Sequence, residues 1–230
     1  MRVVSLVPSV TETLVAWDRV PVACTRFCEQ PGLRQVGGTK NPDVAAIVAL
    51  RPDLVVVDEE ENRREDHDAL VAAGLDVLAL AVRDVADVDR EMWRLADRVG
   101  ARWTPAPPFE IRPVRLRAFV PIWRRPWMAL GHPTYATSLL RLLGVANVFA
   151  GDGAYPEVSL DDAAGRHPDV VLAPSEPYPF GERHRAELEV VAPVTWVDGK
   201  DLFWWGWRTA AARRRLDGLV AGLEPPPAAG

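Results

Sequence analysis

The chain has 230 residues, enough for one large domain or two small ones. Its composition, 48% hydrophobic and 26% charged, is that of a globular protein able to bury a core without disulfide or metal staples. A formal net charge of −5 supplies no basic face for phosphates, which argues against nucleic acid as a partner, and no apolar run is long enough to span a bilayer.

Residues 2–7 read as a buried strand starting directly after Met1. No basic-then-apolar leader and no lipid-anchor Cys is legible, so the expected location is the cytoplasm. The alternative is a periplasmic or extracellular mature domain whose leader has been removed. Ser9-Val10-Thr11-Glu12 matches a capping box, in which the Ser hydroxyl and Glu carboxylate satisfy free N–H groups at a helix start. A strand follows at 20–24 and a loop at 25–42. Asn41-Pro42-Asp43 opens a helix with Pro in its first turn, and Pro52 ends it. Then come strand 53–57, helix 64–73 stopped by Gly74, strand 76–82, and helix 84–99 stopped by Gly100.

The second half repeats this grammar: strand 115–122, a helix from Pro133 to Gly144, a short strand at 147–149, and a helix capped by Ser159. Strand 169–173, helix 182–190, strand 194–198 and a final helix over 206–223 follow. The Pro-rich tail from Pro225 is expected to fray. Arg51-Pro52-Asp53-Leu54-Val55-Val56 and His167-Pro168-Asp169-Val170-Val171-Leu172 echo one another, each preceded by a short helix. Between the halves, residues 101–114 contain Pro105, Pro107, Pro108 and Pro113, which cannot lie inside a helix. The expected organisation is an α/β lobe over 1–100, an extended connector over 101–114, and a second α/β lobe over 115–230. Each lobe should hold a mainly parallel sheet flanked by helices, with a ligand cleft between the lobes at the strands' carboxyl ends.

Residues that could carry chemistry are few. The chain has no GxGxxG, Walker A or GxSxG segment, and its four His form no ligand-spaced pair, so no metal site and no catalytic set is read from it. Cys24 and Cys28 have no zinc-knuckle spacing and read as reduced thiols on a strand and the loop after it, or with Cys28 in a redox or ligand-contact role. The acidic run from Asp58 to Asp66 is either a solvated helix start or a lip that meets ligand or a basic partner. Aromatic groups follow three expected strand ends: Trp123 and Trp127, Tyr178 and Phe180, and Phe203, Trp204, Trp205 and Trp207. They suggest an aromatic wall for a large flat ligand, or packing between lobes. His132, at a helix start, is a further candidate contact.

Ser5-Leu6-Val7-Pro8-Ser9-Val10-Thr11-Glu12-Thr13-Leu14 resembles the opening of the substrate-binding proteins of cobalamin, haem and iron-siderophore importers. Gly37-Gly38-Thr39-Lys40-Asn41-Pro42-Asp43 and Arg51-Pro52-Asp53-Leu54-Val55 match further segments of that family. Pro174-Ser175-Glu176-Pro177-Tyr178-Pro179-Phe180 and Val197-Asp198-Gly199 resemble its cobalamin-binding branch. The resemblance implies a non-enzymatic binding protein with no intrinsic cofactor, whose ligand is cobalamin or a related metal chelate. The ligand contacts expected from the residues and the resemblance together are Pro8, Ser9, Val10, Arg26, Phe27, Cys28, Lys40, Trp123, His132, Glu176, Tyr178, Phe203 and Trp204. Family members dock onto an ABC permease through an acidic residue on each lobe. Glu60 or Glu61 fits on the first lobe, while Arg208 stands where the second is expected. The family's long inter-lobe helix is expected to be shortened or replaced by the Pro-rich connector, since a helix over 84–99 spans only ~24 Å. A cytoplasmic enzyme using Glu176, His132 or Cys28, or a scaffold without transport role, is the alternative.

Overall fold

The computed structural model describes residues 1–108 and 110–223; the tail from Pro225 lies outside the described residues. The chain divides into two compact units. One comprises Met1–Val82, Ala86–Pro105 and Trp205–Arg208, and the other comprises the remainder.

The first unit holds β1 (Val3–Ser5), α1 (Pro8–Ala16), β2 (Ala23–Cys24), β3 (Arg34–Gln35), β4 (Gly37–Gly38), β5 (Asn41–Pro42), α2 (Val44–Ala49), β6 (Leu54–Asp58), α3 (Arg64–Ala72), β7 (Val77–Leu80) and, from Ala86, α4 (Val85–Val99). Five strands form one sheet in the order β3-β2-β1-β6-β7, every pair parallel. Such a sheet is covered on both faces, so its central strands are apolar without alternation. All of β1 and β6 is buried. Val4, Leu6, Ala23, Val36, Ile47, Val55, Val57 and Leu70 form one core.

Two helix starts differ from the sequence expectation. α1 begins at Pro8, whose fixed φ suits the first helical position, so Ser9 lies inside the helix and no side chain caps it. Pro42 belongs to β5, paired antiparallel with β4, and it is Asp43 that caps α2 by accepting from the Ala46 N–H at 2.9 Å. The expected loop 25–42 thus contains an edge strand and a two-stranded hairpin.

The second unit holds β8 (Leu116–Phe119), β9 (Pro121–Trp123), β10 (Met128–Ala129), α5 (Tyr135–Leu142), β11 (Val145–Asn147), α6 (Leu160–Gly165), β12 (Val170–Pro174), a 3₁₀ turn (Glu182–His184), α7 (Arg185–Leu188), β13 (Val194–Val197), α8 (Gly199–Phe203) and α9 (Thr209–Ala221). Its four-stranded sheet runs β11-β8-β12-β13, again all parallel. Phe119, Phe149, Val171, Ala173 and Leu188 lie in its core, with the Phe119 and Phe149 rings 5.7 Å apart. Ser159 caps α6 as expected, accepting from the Asp162 N–H at 3.0 Å. Two parallel sheets, each flanked by helices, are the architecture the alternation of strands and helices implied.

The expected strand 115–122 is broken after Phe119. Pro121 has no N–H to continue the ladder, and β9 pairs antiparallel with β10 instead. The expected final helix is also two. α8 is capped by Asp198, which accepts from the Lys200 N–H at 2.9 Å. The chain then turns at Gly206, whose φ of +100° favours glycine. A Cβ there would lie 2.6 Å from the Thr13 hydroxyl and 3.2 Å from the Met92 sulphur.

The segment Trp205–Arg208 belongs to the first unit. Arg208 makes a bidentate pair with Glu12, both bonds 2.7 Å, and the Trp207 N–H donates to Thr13 Oγ1 at 3.1 Å. The Pro-rich segment carries no helix or strand among its described residues. It is pinned rather than free. Trp103 donates to Asp89 at 2.8 Å and packs edge-on to Trp17, while the Arg112 and Arg115 N–H groups bond the carbonyls of Leu142 and Gly144.

Phe119 is fully buried on the strand between β11 and β12. Phe119→Ala should lower the unfolding free energy by about 3–5 kcal/mol in urea titration, and Ser159→Ala by about 1 kcal/mol. A Phe119→Ala cost below about 1 kcal/mol would mean that this core is not the one described.

Candidate functional site

In the first unit the residues singled out from sequence gather at the carboxyl edge of the sheet. β1 leads through Leu6 and Val7 into α1, whose first residues Pro8, Ser9 and Val10 all have buried side chains. β2 ends at Cys24 and passes into a turn in which the Cys28 N–H bonds the Thr25 carbonyl at 3.1 Å. This turn carries the exposed Arg26 and Phe27, with the guanidinium 4.9 Å from the ring centre. The Arg26 N–H bonds the Gly37 carbonyl at 2.9 Å, which ties the turn to the β4–β5 hairpin. Gly38 makes the approach possible. A Cβ there would lie 2.5 Å from Asn41 Oδ1, 3.1 Å from Phe27 and 3.2 Å from Arg26. At the hairpin tip Lys40 donates its Nζ to the Glu60 carbonyl at 2.5 Å. Asn62 donates to the carbonyls of Thr39 at 2.8 Å and Leu6 at 3.3 Å. Four segments distant in sequence are thereby fastened to one another.

The acidic run is not uniform. Asp58 is the last residue of β6 and is 2% exposed, so it is no part of a solvated lip. Its Oδ1 accepts from the Glu60 N–H at 2.9 Å and the Glu61 N–H at 3.1 Å, while its Oδ2 is buried without a partner. Burial pushes the carboxyl up to about 7, against the opposing pull of those two N–H groups. Glu60 and Glu61, the expected docking residues, are half-buried and held by the turn that Asp58 organises. Sequence reading missed Asp58 because a run of acids looks solvated; the signal was its place at the end of an unbroken apolar strand.

Cys28 is 4% exposed and Cys24 fully buried. The Cys28 sulphur lies 3.2 Å from Thr11 Oγ1 and 3.2 Å from Thr25 Oγ1. Thr11 is also 2.8 Å from Ser5 Oγ. Hydrogen bonding from the Cys24 thiol outweighs burial, and with the two Thr hydroxyls it lowers the Cys28 thiol to about 6; the same bond and burial raise Cys24. The hydroxyls of Ser5, Thr11 and Thr25 were not singled out from the sequence.

In the second unit Trp123 ends β9 and remains 44% exposed, with its ring 5.6 Å from Tyr178 in an edge-to-face arrangement. Tyr178 follows β12 and is half-buried, its ring 4.7 Å from Phe180. Phe180 is 7% exposed and stacks on Trp127 at 5.9 Å. Trp127 and Tyr178 both pack against the core, so Phe180 and Trp127 back Tyr178 rather than extend an open wall. His184 is buried behind them, accepting from the Gly181 N–H at 3.2 Å and placing Nε2 3.4 Å from the Tyr178 hydroxyl. Burial first, then Arg183 and Arg124, lower the His184 imidazole and favour its neutral form. Arg124 forks onto Glu187 at 2.9 and 3.2 Å.

The remaining candidates are dispersed. His132 is exposed before α5, its N–H bonding the Gly153 carbonyl. Glu176 is half-buried against Gly199, where a side chain would collide with it. Phe203 and Trp204 are half-buried at the end of α8, with Lys200 Nζ 5.4 Å from the Trp204 ring. Trp205 is buried in the first unit and Trp207 is exposed there, so the run of aromatics expected to form one wall is divided. No group of three or more His, Cys, Asp or Glu among the described residues could hold a metal ion, and no helix among them is long and apolar enough to cross a membrane.

No protein-family model matches the chain. The vitamin B12-binding protein of Salmonella typhi is 25% identical over 197 residues, covering 74% of this chain and 71% of that protein. The crystal structure of the periplasmic vitamin B12-binding protein of Vibrio cholerae superposes with a TM-score of 0.75 at 18% identity, covering 96% of each chain. A periplasmic haem-binding protein from Pseudomonas aeruginosa gives 0.77 at 18% identity, covering 97% of this chain and 94% of that one. The fold is therefore that of these periplasmic binding proteins, and the resemblance to cobalamin- and haem-binding proteins read from the opening and GGTKNPD segments holds over most of the chain. The expected cytoplasmic location finds no support among these proteins, and none of the three is described as an enzyme.

The buried Asp58 makes a prediction independent of any ligand. Its ordinary value is 3.8 and its folded value about 7, so the folded state holds the proton more tightly. The stability it contributes is full below about pH 4 and is lost as pH rises through about 7. Asp58→Asn keeps the Oδ1 acceptor and cannot ionise. The stability of the variant relative to the parent should rise between pH 5 and pH 8.5, by up to about 2–4 kcal/mol. A difference that stays flat over that range in urea titrations would show that Asp58 is ionised throughout.

Proposed function

We propose that this chain captures a metal-chelating macrocycle, a corrinoid in first place, and delivers it to the permease of an ABC importer from outside the cytoplasmic membrane. The observation that carries the reading is the half-exposed Trp123 set edge-on to Tyr178 at the carboxyl side of a parallel sheet, in a chain whose curated relatives are vitamin B12-binding proteins. A rigid aromatic pair can cover a flat, partly apolar ligand at small entropic cost, because few torsions are frozen. Here Tyr178 is braced by Phe180 and His184, which holds its ring in place against Trp123.

The side chains proposed to meet ligand are those the structure leaves accessible: Arg26, Phe27 and Lys40 in the first unit, and Trp123, Tyr178, His132 and Trp204 in the second. Arg26 and Lys40 are suited to the carboxylate or phosphate substituents such macrocycles carry. Glu176 and Phe203, half-buried, are proposed as the margin of the second set. Pro8, Ser9, Val10 and Cys28 are proposed to contribute by shaping the first set, since their side chains are covered. Glu60 and Glu61, held by the Asp58 turn, are the proposed docking residues for basic groups of the permease.

Isothermal titration with cyanocobalamin, cobinamide and haemin tests the ligand class. Binding to at least one is expected, and removal of the Trp123 ring should weaken it about ten-fold with little change in melting temperature. If all three fail to bind the folded protein, the ligand class is wrong. Glu60→Ala/Glu61→Ala should leave that affinity unchanged and lower uptake in a strain depending on this protein. Unchanged uptake would remove the docking role.

A further inference from the structure

We propose that His184 is a positioning residue for Tyr178 and holds it against Trp123 only while the imidazole is neutral, so that capture of a macrocycle weakens as the medium turns acid. The consequence for capture rests on the ligand-binding reading above; the link between His184 and Tyr178 does not.

The groups around the ring leave no place for a second proton. The Gly181 N–H lies 3.2 Å from Nδ1, the Arg183 Nε–H 3.3 Å from Nε2 and the Tyr178 hydroxyl 3.4 Å from Nε2. The first two can only donate, and the Tyr178 oxygen is the acceptor of the set. A neutral imidazole has one N–H to place and that oxygen to receive it, while the exposed Arg183 can give way toward the Pro179 carbonyl. An imidazolium has two N–H groups. The one on Nδ1 would meet the Gly181 N–H, a backbone donor that cannot turn aside, in a site only 5% exposed.

Burial and the surrounding charges oppose the proton as well. Burial weighs most, followed by Arg183 on the same turn and Arg124 on the β9–β10 turn; Glu187 on α7 and a backbone bond with Gly181 pull the other way and are outweighed. Glu187 is already engaged by Arg124, and Glu182 and Arg185, on the same stretch of chain, pair with each other at 2.6 Å.

A proton on His184 therefore reaches Tyr178 by two routes. It drives the ring from its place, which removes the contact to the Tyr178 hydroxyl and the edge-on packing of the two rings, 5.5 Å apart. It also repels Arg124, which follows Trp123 in the chain and whose guanidinium lies beside the same hydroxyl. Tyr178 then loses what holds it 5.6 Å from the Trp123 ring. The stability tied to the neutral imidazole is full above the ordinary value of 6.5 and is lost as pH falls through the lowered folded value.

Histidine and tyrosine ring signals of the carbon-13-labelled, ligand-free protein are followed by NMR from about pH 8 to about pH 5. His184 should titrate below 6.5, and the Tyr178 ring signal should shift with the same midpoint. That step should be missing in His184→Gln, which keeps an acceptor and a donor but takes up no proton. A His184 midpoint at or above 6.5, a ring still neutral when the protein unfolds, or a Tyr178 signal indifferent to the titration overturns the proposal. So does a step shared with Tyr135, buried on α5 of the same unit, because it would be general unfolding. Calorimetry with cyanocobalamin tests the consequence for capture. If only the neutral form binds, about one molecule in ten is competent one pH unit below the His184 midpoint, so Kd should rise about ten-fold. The rise should be absent in His184→Gln. Flat affinity in the parent, or a rise that survives in the variant, overturns the consequence. No binding at any pH defeats the ligand-binding reading and the consequence together, with the NMR titration still deciding the positioning role.

Discussion

Parallel pairing is the constraint on which the rest of the structure depends. Two adjacent parallel strands cannot be joined by a tight turn, so the chain must cross back over the sheet, and the segments leaving successive strands emerge at the same edge. The five-stranded sheet of the first unit and the four-stranded sheet of the second are both parallel throughout. This topology brings the ends of β1, β2 and β6 together although more than fifty positions separate Ser5 from Asp58. It likewise brings the segment leaving β8 beside the segment leaving β12. Short strands and long connecting segments therefore give a small scaffold with a large edge built of loops.

An edge built of loops has many backbone groups to satisfy, and the buried polar residues of the first unit supply the partners. Asp58 holds two N–H groups of the turn after β6, and Asn62 takes carbonyls from two other segments. Burying such groups is costly unless they are paired. The unpartnered Oδ2 of Asp58 raises its affinity for a proton instead. In the second unit Asn147 serves the same end, donating to the Leu130 carbonyl and accepting from the Phe149 N–H. His184 and Phe180 do for Tyr178 what these side chains do for the backbone.

The sequence revealed the architecture well because strands, helix stops and Pro-Asp entries are local signals. β6, α3 and the Ser159 cap of α6 all lie where the pattern puts them. Misreadings occurred where a local signal competed with a neighbour. Pro8 outweighed the Ser9 capping box, Pro121 broke a strand that hydrophobicity alone would continue, and the last helix is split by a turn at Gly206, where a Cβ would collide with Thr13 Oγ1. The aromatic run after β13 was legible as a cluster but not in its division, because which unit a side chain packs on is set by long-range contact. The hydroxyls around Cys28 were illegible for the same reason, whereas the burial of Asp58 had a local signal in its place at the end of an apolar strand.

The central claim is that the loops at the strand ends, and not the sheets, receive the ligand. Amide hydrogen exchange with and without saturating cyanocobalamin tests it most directly. The account predicts added protection in residues 25–28 and 37–41 of the first unit and in 123–127 and 175–184 of the second, with β6 and β12 unchanged. Protection confined to other surfaces, or absent from all four segments while the ligand is bound, would contradict it.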